Sequence, residues 1–325
     1  MDLRERLGIE HRVVQAPSVS HAELASAVSR AGGLGTVRTL GDLARFRAEL
    51  SACRDASAGR PYSANLLLPH VRRAHVEACI AERVPVVSLF FGFDAGLVAA
   101  LHAIGTLVLH HVGSVEEAQR ALRDGADGLI AQGLGAGGHL RATEPLETIV
   151  PKLLAIAGDT PVLAGSGIYD RASAQRAIDL GAAGVWVGTR FLLTHESHAH
   201  PAYKQRLLEA ETTFETLLFG LGWHALHRVA PNRATERWCA RDPLGPRWVR
   251  AFNRTIEPLT RHAPANSDRA TVTRQHLGMP LFTGLALTRD MDERLVDVTP
   301  LYAGECVAKI RELRSAADVV RELSV

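Results

Sequence analysis

From its first residues to about Leu208 the chain repeats one unit: a short β-branched or leucine-rich run, a turn, then an alanine-rich helical stretch. The runs are Arg12–Ala16, Leu34–Thr36, Tyr62–Leu68, Val86–Phe90, Thr106–His110, Gly128–Ala131, Val162–Ala164 and Gly184–Val187, eight in all. Each is apolar on both faces, as a strand must be when helices cover its outside and side chains fill its inside. Helical patterns separate them, among them Ala22–Ala31, Val115–Asp124 and Ala172–Leu180. Ser114 and Glu117 have the spacing of a capping box. Gly32-Gly33, Gly125 and Gly181 follow three of these helices, where a C-cap glycine belongs. Eight βα units closing on themselves make an α/β fold of the (β/α)8 TIM-barrel type. A doubly wound open sheet seldom uses so many regular repeats.

Past Leu208 the rhythm breaks. Residues 209–297 hold three of the four tryptophans and the proline-bearing stretch Arg241-Asp-Pro-Leu-Gly-Pro-Arg-Trp248. Helical patterns persist there without strands. The expected organisation is a barrel over 1–208, a smaller helical domain over 209–297 covering the barrel mouth, and a helical segment over 298–325 returning to the barrel.

Charge is nearly balanced at +2, and no basic cluster has aromatics interleaved with it. That argues against a nucleic-acid partner. Cys53, Cys79, Cys239 and Cys306 are scattered, giving neither a disulfide framework nor a zinc pattern, which fits a reducing cytoplasm. The start, Met-Asp-Leu-Arg-Glu-Arg-Leu, is charged where a signal peptide turns apolar. The most apolar stretch, Leu97–Leu109, is too short to span a bilayer. A soluble, cytoplasmic protein without a membrane partner is expected.

Ligands of such barrels sit at the C-terminal ends of the strands, with phosphate commonly held after the seventh and eighth. The seventh run leads into Ala164-Gly165-Ser166-Gly167-Ile168, whose N–H groups can form an anion nest. The eighth leads into Gly188-Thr189-Arg190, where a helix begins and its N-terminal dipole favours phosphate. Two such loops at these two strands point to a phosphate ligand. The sixth run leads into Gln132-Gly-Leu-Gly-Ala-Gly-Gly-His139: a loop with little side-chain bulk that ends on a residue able to move a proton near neutral pH. Asn65 and Gln132 are amides in apolar strands. Each either bonds neighbouring backbone or meets the polar edge of a ring system in the barrel mouth.

Taken together, Val14-Gln15-Ala16-Pro17, Ala31-Gly-Gly-Leu-Gly35, Asn65-Leu, Gln132-Gly…Ala136-Gly-Gly-His139, Ala164-Gly-Ser-Gly-Ile168, Val187-Gly-Thr-Arg-Phe191 and Ala199-His-Pro-Ala-Tyr-Lys204 resemble the nitronate monooxygenase (2-nitropropane dioxygenase) family. Gly222-Trp-His-Ala-Leu-His-Arg-Val229 resembles a stretch of that family's second domain. The resemblance implies a TIM barrel holding FMN, and oxidation of alkyl nitronates by O2 through a flavin semiquinone. His139 would be the base when the substrate is a neutral nitroalkane. It further implies that Asn65 and Gln132 bond the isoalloxazine and that Gly137 lets the loop approach it. Gly165, Ser166, Gly167, Gly188 and Thr189 would hold the phosphate, with Ala16, Pro17, Gly133, Gly138 and Val187 completing the cofactor site. A homodimer is compatible with it.

The chain departs from the family pattern at three places. Gly135 replaces a glutamate of the central loop, strand four ends Ser88-Leu-Phe-Phe-Gly92 without a polar residue among the aromatics, and Gly165-Ser166-Gly167 replaces alanine and two glycines. The first two remove polar groups from the expected substrate region. A second reading therefore keeps FMN and reduces enoyl thioesters or quinones with NAD(P)H; a third is a non-redox phosphate-binding barrel. His195, His198 and His200 read as a solvated loop, since no carboxylate or cysteine at ligand spacing completes a metal site. His110 and His111 end the fifth run: either one faces the barrel mouth and assists substrate binding, or both have packing or surface roles. Trp223, Trp238 and Trp248 read as core or interface residues. His224 and His227 carry no assigned chemistry.

Overall fold

The computed structural model describes residues 2–260 and 267–325. The chain divides into two compact units: Met1–Ala136, Arg141–Ser197 and Leu313–Val325 form the first, Gly137–Leu140 and His198–Glu312 the second. The sequence rhythm placed the divisions at 208 and 297. In the structure the helix Pro201–Glu209 and the segment up to Glu312 go with the second unit, and only the last residues go with the first.

The first unit holds eight parallel strands: β1 (Val13–Gln15), β2 (Gly35–Val37), β3 (Tyr62–Leu67), β4 (Val86–Phe90), β5 (Leu107–Val112), β6 (Gly128–Gln132), and, past a strand of the other unit, β8 (Val162–Gly165) and β9 (Gly184–Val187). Their order is β1-β9-β8-β6-β5-β4-β3-β2. A parallel bridge between Val14 and Leu34 joins the two ends of that order. There the Gln15 N–H donates to the Leu34 carbonyl and the Leu34 N–H to that of Val13, both at 2.9 Å. The expected (β/α)8 barrel is present.

Side chains alternate along each strand, and the alternation sorts the core. Val14, Leu34, Val86, Leu109, Ile130, Leu163 and Trp186 form one buried inner cluster, closed by Leu3, Leu7 and Ile9 of the N-terminal segment. The opposite faces pack on the helices, in two further clusters built around residues such as Val13, Leu129, Val162 and Val185, and Ala64, Val87, Leu89 and Val108. Full burial of each such aliphatic side chain contributes about 1.5–3 kcal/mol. The helix Ala316–Leu323 joins the outer layer through Ala316, Val319, Val320 and Leu323.

Helix starts follow local chemistry. Asp42, Asp94, Ser114 and Asp170 each accept a backbone N–H of the first turn of the helix that follows. At Ser114 only half of the expected box forms. Glu117 does donate its N–H to the Ser114 hydroxyl (3.3 Å), but its carboxylate takes the N–H of Gly113 (2.8 Å) and pairs with Arg141.

The second unit is not purely helical. Its centre is a small sheet of β7 (Gly138–His139), β10 (Phe214–Thr216), β11 (His227–Ala230) and β12 (Leu301–Tyr302), with β11 pairing antiparallel to the other three. These strands are two to four residues long. Such short pieces show little periodicity. The helices Pro201–Glu209, Arg233–Trp238, Arg247–Thr260 and Ser267–Val272 lie in the same unit. Asn232 anchors it: Oδ1 caps the helix at Thr235 N–H, and Nδ2 donates to the buried carbonyls of Val296 and Thr299 at 3.1 and 2.9 Å. Asn232→Ala removes the cap and leaves two buried carbonyls without that donor, an expected loss of about 2–3 kcal/mol. A lowered denaturant midpoint at unchanged slope is the result to look for. No described helix is long and apolar enough to cross a membrane.

Candidate active site

One step along each strand from the apolar inner cluster, toward the C-terminal ends, the same faces carry Ala16, Thr36, Ser88, His111, Gln132, Gly165 and Gly188, and register places Asn65 beside Ser88. This layer is small or polar where the one below it is apolar and bulky. Its groups are partly paired with one another. Asn65 Nδ2 donates to the Ser88 hydroxyl (3.1 Å) and carbonyl (3.3 Å), so that amide does bond the neighbouring strand. Gln132 Oε1 accepts the N–H groups of Arg141 (2.6 Å) and Ala142 (3.0 Å), tying β6 to the segment that follows the glycine loop. Two buried atoms in the layer have no protein partner, the Thr36 hydroxyl and His111 Nε2. Buried polar atoms are nearly always satisfied, so these two mark a place where a ligand's polar atoms would fit.

Alternation also decides between the paired histidines. His110 faces outward, stacked on Phe93 at 4.8 Å. His111 faces inward, stacked on Phe90 at 4.2 Å and edge-on to Trp186 at 5.8 Å. Burial pushes the His111 imidazole down to about 3 from an ordinary 6.5. The unfolded chain therefore binds this proton below about pH 6.5 while the folded one does not. Stability contributed by the neutral ring is complete above that pH and drains away as pH falls toward 3. His111→Phe is expected to flatten the fall in Tm between pH 6.5 and 4, followed by calorimetry.

The two candidate phosphate loops are neighbours of other predicted residues. A Cβ on Gly188 would stand 3.6 Å from the Ala16 Cβ and 3.4 Å from the Ser18 hydroxyl. On Gly133 it would stand 3.1 Å from the Ser166 Cβ, and the Gly133 N–H points to the Gly165 carbonyl at 3.4 Å. Gly165 lies against Trp186, where an added Cβ would come within 3.2 Å. Gly167, at φ +64°, has open space where its Cβ would be. The first unit thus brings Ala16, Pro17, Gly133, Gly165, Ser166, Gly167, Val187, Gly188 and Thr189 to one end of the barrel, with Asn65 and Gln132 on its inner wall.

His139 has a different setting. The chain leaves Ala136 and joins the second unit for four residues, Gly137–Leu140. A Cβ on Gly137 would lie 2.3 Å from the Ala303 carbonyl carbon and the Gly304 nitrogen, so glycine is what allows the segment to lie against that backbone. Gly138 and His139 then pair with Arg228 and His227, and the Leu140 N–H donates to the Leu226 carbonyl at 2.9 Å. His139 is therefore held in a strand and not in a free loop. Its ring lies 4.1 Å from that of Trp223, 5.3 Å from Tyr302 and 5.7 Å from His227. The Tyr302 hydroxyl donates to the Gly284 carbonyl at 2.8 Å. Trp223, Tyr302 and His227 carried no functional assignment in the sequence. The one signal for two of them was the Gly222–Val229 segment.

Two histidines of the 195–200 segment have structural partners. The His198 ring stands 3.6 Å from the Asp290 carboxylate, and His200 Nδ1 accepts the Ala202 N–H at the start of the helix Pro201–Glu209. Among the described residues no group of three or more His, Cys, Asp or Glu could hold a metal ion.

The family profile described as nitronate monooxygenase matches residues 70–324. A Mycobacterium tuberculosis (3aS,4S,5R,7aS)-5-hydroxy-7a-methyl-1-oxo-octahydro-1H-indene-4-carboxyl-CoA dehydrogenase is 37% identical over 249 residues, covering 72% of this chain and 67% of that protein. A nitronate monooxygenase of Pseudomonas aeruginosa is 33% identical over 251 residues, covering 62% of this chain and 71% of the relative. In three dimensions the nitroalkane oxidase of Streptomyces ansochromogenes superposes with a TM-score of 0.75 at 26% identity, over 99% of this chain and 96% of that one. A closed eight-stranded barrel, a profile match over most of the length and these relatives lead to one conclusion: the chain belongs to the nitronate monooxygenase family of oxidoreductases.

Proposed function

We propose that this protein is an FMN-dependent oxidase of alkyl nitronates, with O2 as the electron acceptor and His139 as the base that admits neutral nitroalkanes. The residues of the barrel mouth fit the cofactor. Thr36 Oγ1 and His111 Nε2 are buried polar atoms lacking partners, Gly167 leaves open space, and the loops after β8 and β9 offer backbone N–H groups suited to a phosphate. Asn65 and Gln132 would meet the ring system, and Gly165, Ser166, Gly167, Gly188 and Thr189 the phosphate. When bound, FMN would supply the chemistry of taking electrons from the nitronate and handing them to O2.

The single observation that carries the assignment of a base is the seat of His139. Its ring is half-buried, set by strand pairing on one side and by the faces of Trp223 and Tyr302 on others. A base so held spends little entropy in reaching the proton beside a nitro group. His139 Nδ1 or Nε2 would take that carbon-bound proton, leaving the nitronate anion. The aromatic neighbours would limit the water that competes for it.

A second reading follows from the mouth of β4. Phe90 and Phe91 are 4.4 Å apart there, and the Arg141 guanidinium lies 5.4 Å over Phe91. A greasy acyl or alicyclic group suits that surface, and a dehydrogenase of an octahydroindene carboxyl-CoA is 37% identical to this chain. In this reading the same cofactor reduces or oxidises an acyl thioester.

Purified protein is expected to be yellow, with the absorbance of bound flavin released on denaturation. Colourless protein that takes up no added FMN would refute both readings. Anaerobic mixing separates them: bleaching by alkyl nitronates supports the first, and bleaching by NAD(P)H or an acyl thioester the second.

A further inference from the structure

His227 stands opposite His139 in the β7–β11 pairing and is completely buried. Its Nδ1 lies 2.9 Å from the Ala225 carbonyl oxygen. A carbonyl only accepts, so Nδ1 carries the ring proton and Nε2 of the neutral ring is a bare lone pair. That lone pair is buried and has no hydrogen-bond partner. An acceptor left that way is costly inside a protein, and three rings surround it. Phe219, at 5.8 Å, has no donor. Tyr302, edge-on at 5.7 Å, already gives its hydroxyl proton to Gly284. His139, at 5.7 Å and 64°, is the remaining ring of the three, and an imidazole N–H is the kind of donor that Nε2 lacks.

We propose that His227 is the positioning residue for His139, an uncharged imidazole whose Nε2 accepts the His139 N–H and so sets which His139 nitrogen acts as the base. No bond beyond that hydrogen bond forms at His227. The proton abstracted from the substrate carbon ends on His139, and His227 steadies the resulting imidazolium. A carboxylate commonly orients a catalytic histidine in this way; here a neutral ring takes the place. Its neutrality is supported by burial, which pushes His227 down to about 4. The titratable groups around it are His139, Tyr302 and His224, and His224 in turn feels Arg250, Arg254 and Glu257.

This inference rests on His139 being the base, and its test is read first without substrate. In the full-length protein, NMR titration of the His139 ring is compared in wild type, His227→Phe and His227→Gln, with circular dichroism as the check of folding. Loss of the acceptor in His227→Phe is expected to weaken proton binding by His139 about tenfold. Gln, whose Oε1 can accept, should recover most of it. In turnover, kcat for a neutral nitroalkane should fall with KM nearly constant, and preformed nitronate should be spared. Should the phenyl ring prevent folding, His227→Met serves as the apolar variant. An unchanged His139 titration in a folded apolar variant overturns the proposal. A shifted titration in an enzyme inert toward every nitroalkane upholds the positioning role and removes the proposed reaction instead.

Discussion

His139→Asn is expected to cut turnover of neutral nitroalkanes by about 10²–10⁴-fold, the usual worth of a placed general base. Turnover of the corresponding preformed nitronates should stay close to wild type. The asymmetry is the informative part. A nitronate has already lost the proton that His139 would remove, so only the neutral substrate needs the imidazole. Asn keeps a polar side chain at the strand position, where the backbone pairs with His227 and the neighbouring N–H of Leu140 with Leu226. The flavin spectrum of the purified variant should be unchanged, since the residues suited to the cofactor lie along Ala16, Asn65, Gln132 and the loops after β8 and β9. Equal losses on both substrates would mean that His139 contributes binding and not proton transfer. Oxygen uptake measured with paired nitroalkane and nitronate decides it.

Gly137→Ala should be a damaging small change in the segment that carries His139. The added methyl would sit 2.3 Å from two backbone atoms, the Ala303 carbonyl carbon and the Gly304 nitrogen, and backbone cannot swing aside as a side-chain tip can. Overpacking of this kind costs about 1–3 kcal/mol. Strand β7 is only two residues long, so a local shift endangers its whole pairing. Displacing a positioned base by about 1 Å can cost about 10²-fold in rate. The variant should therefore lose both thermal stability and nitroalkane turnover, with activity falling further than the stability loss alone explains at low temperature. A variant with wild-type kcat and Tm would show that the 303–304 backbone yields freely. Gly138 offers a contrast: it has open space beside it and a φ of +74°, so Gly138→Ala should show backbone strain without collision.

The barrel was legible because its signal is redundant. Runs such as Val86–Phe90 and Gly184–Val187 are apolar on both faces and are bounded by turns, and both strands fall on those residues. The run read at Leu34–Thr36 is a strand at Gly35–Val37, since Leu34 makes only an isolated bridge to β1. The glycine loops after β8 and β9 could be read from position alone. Less could be read where contacts are made between distant segments. Nothing local tells that Gly138-His139 will form a strand with residues near His227, or that Tyr302 will lie beside His139. His110 and His111 were equivalent in sequence, and only the inward phase of Leu109 separates them. Trp223 read as core because an aromatic at a loop has no signature of its own.

The helix Ala316–Leu323 has a consequence for the order in which the molecule is made. It belongs to the barrel's outer layer, yet the ribosome reaches it only after residues 198–312 of the other unit have been synthesised. The helix Ala22–Arg30, whose Leu24, Ala27 and Val28 share a cluster with Val319, Val320 and Leu323, must wait for that cover until residues 198–312 have been made. Until then an apolar stripe beside β1 stays open to water and to other nascent chains. Chaperone dependence and translation-arrest experiments should locate the completion of the barrel after residue 313, although all eight staves have left the ribosome long before.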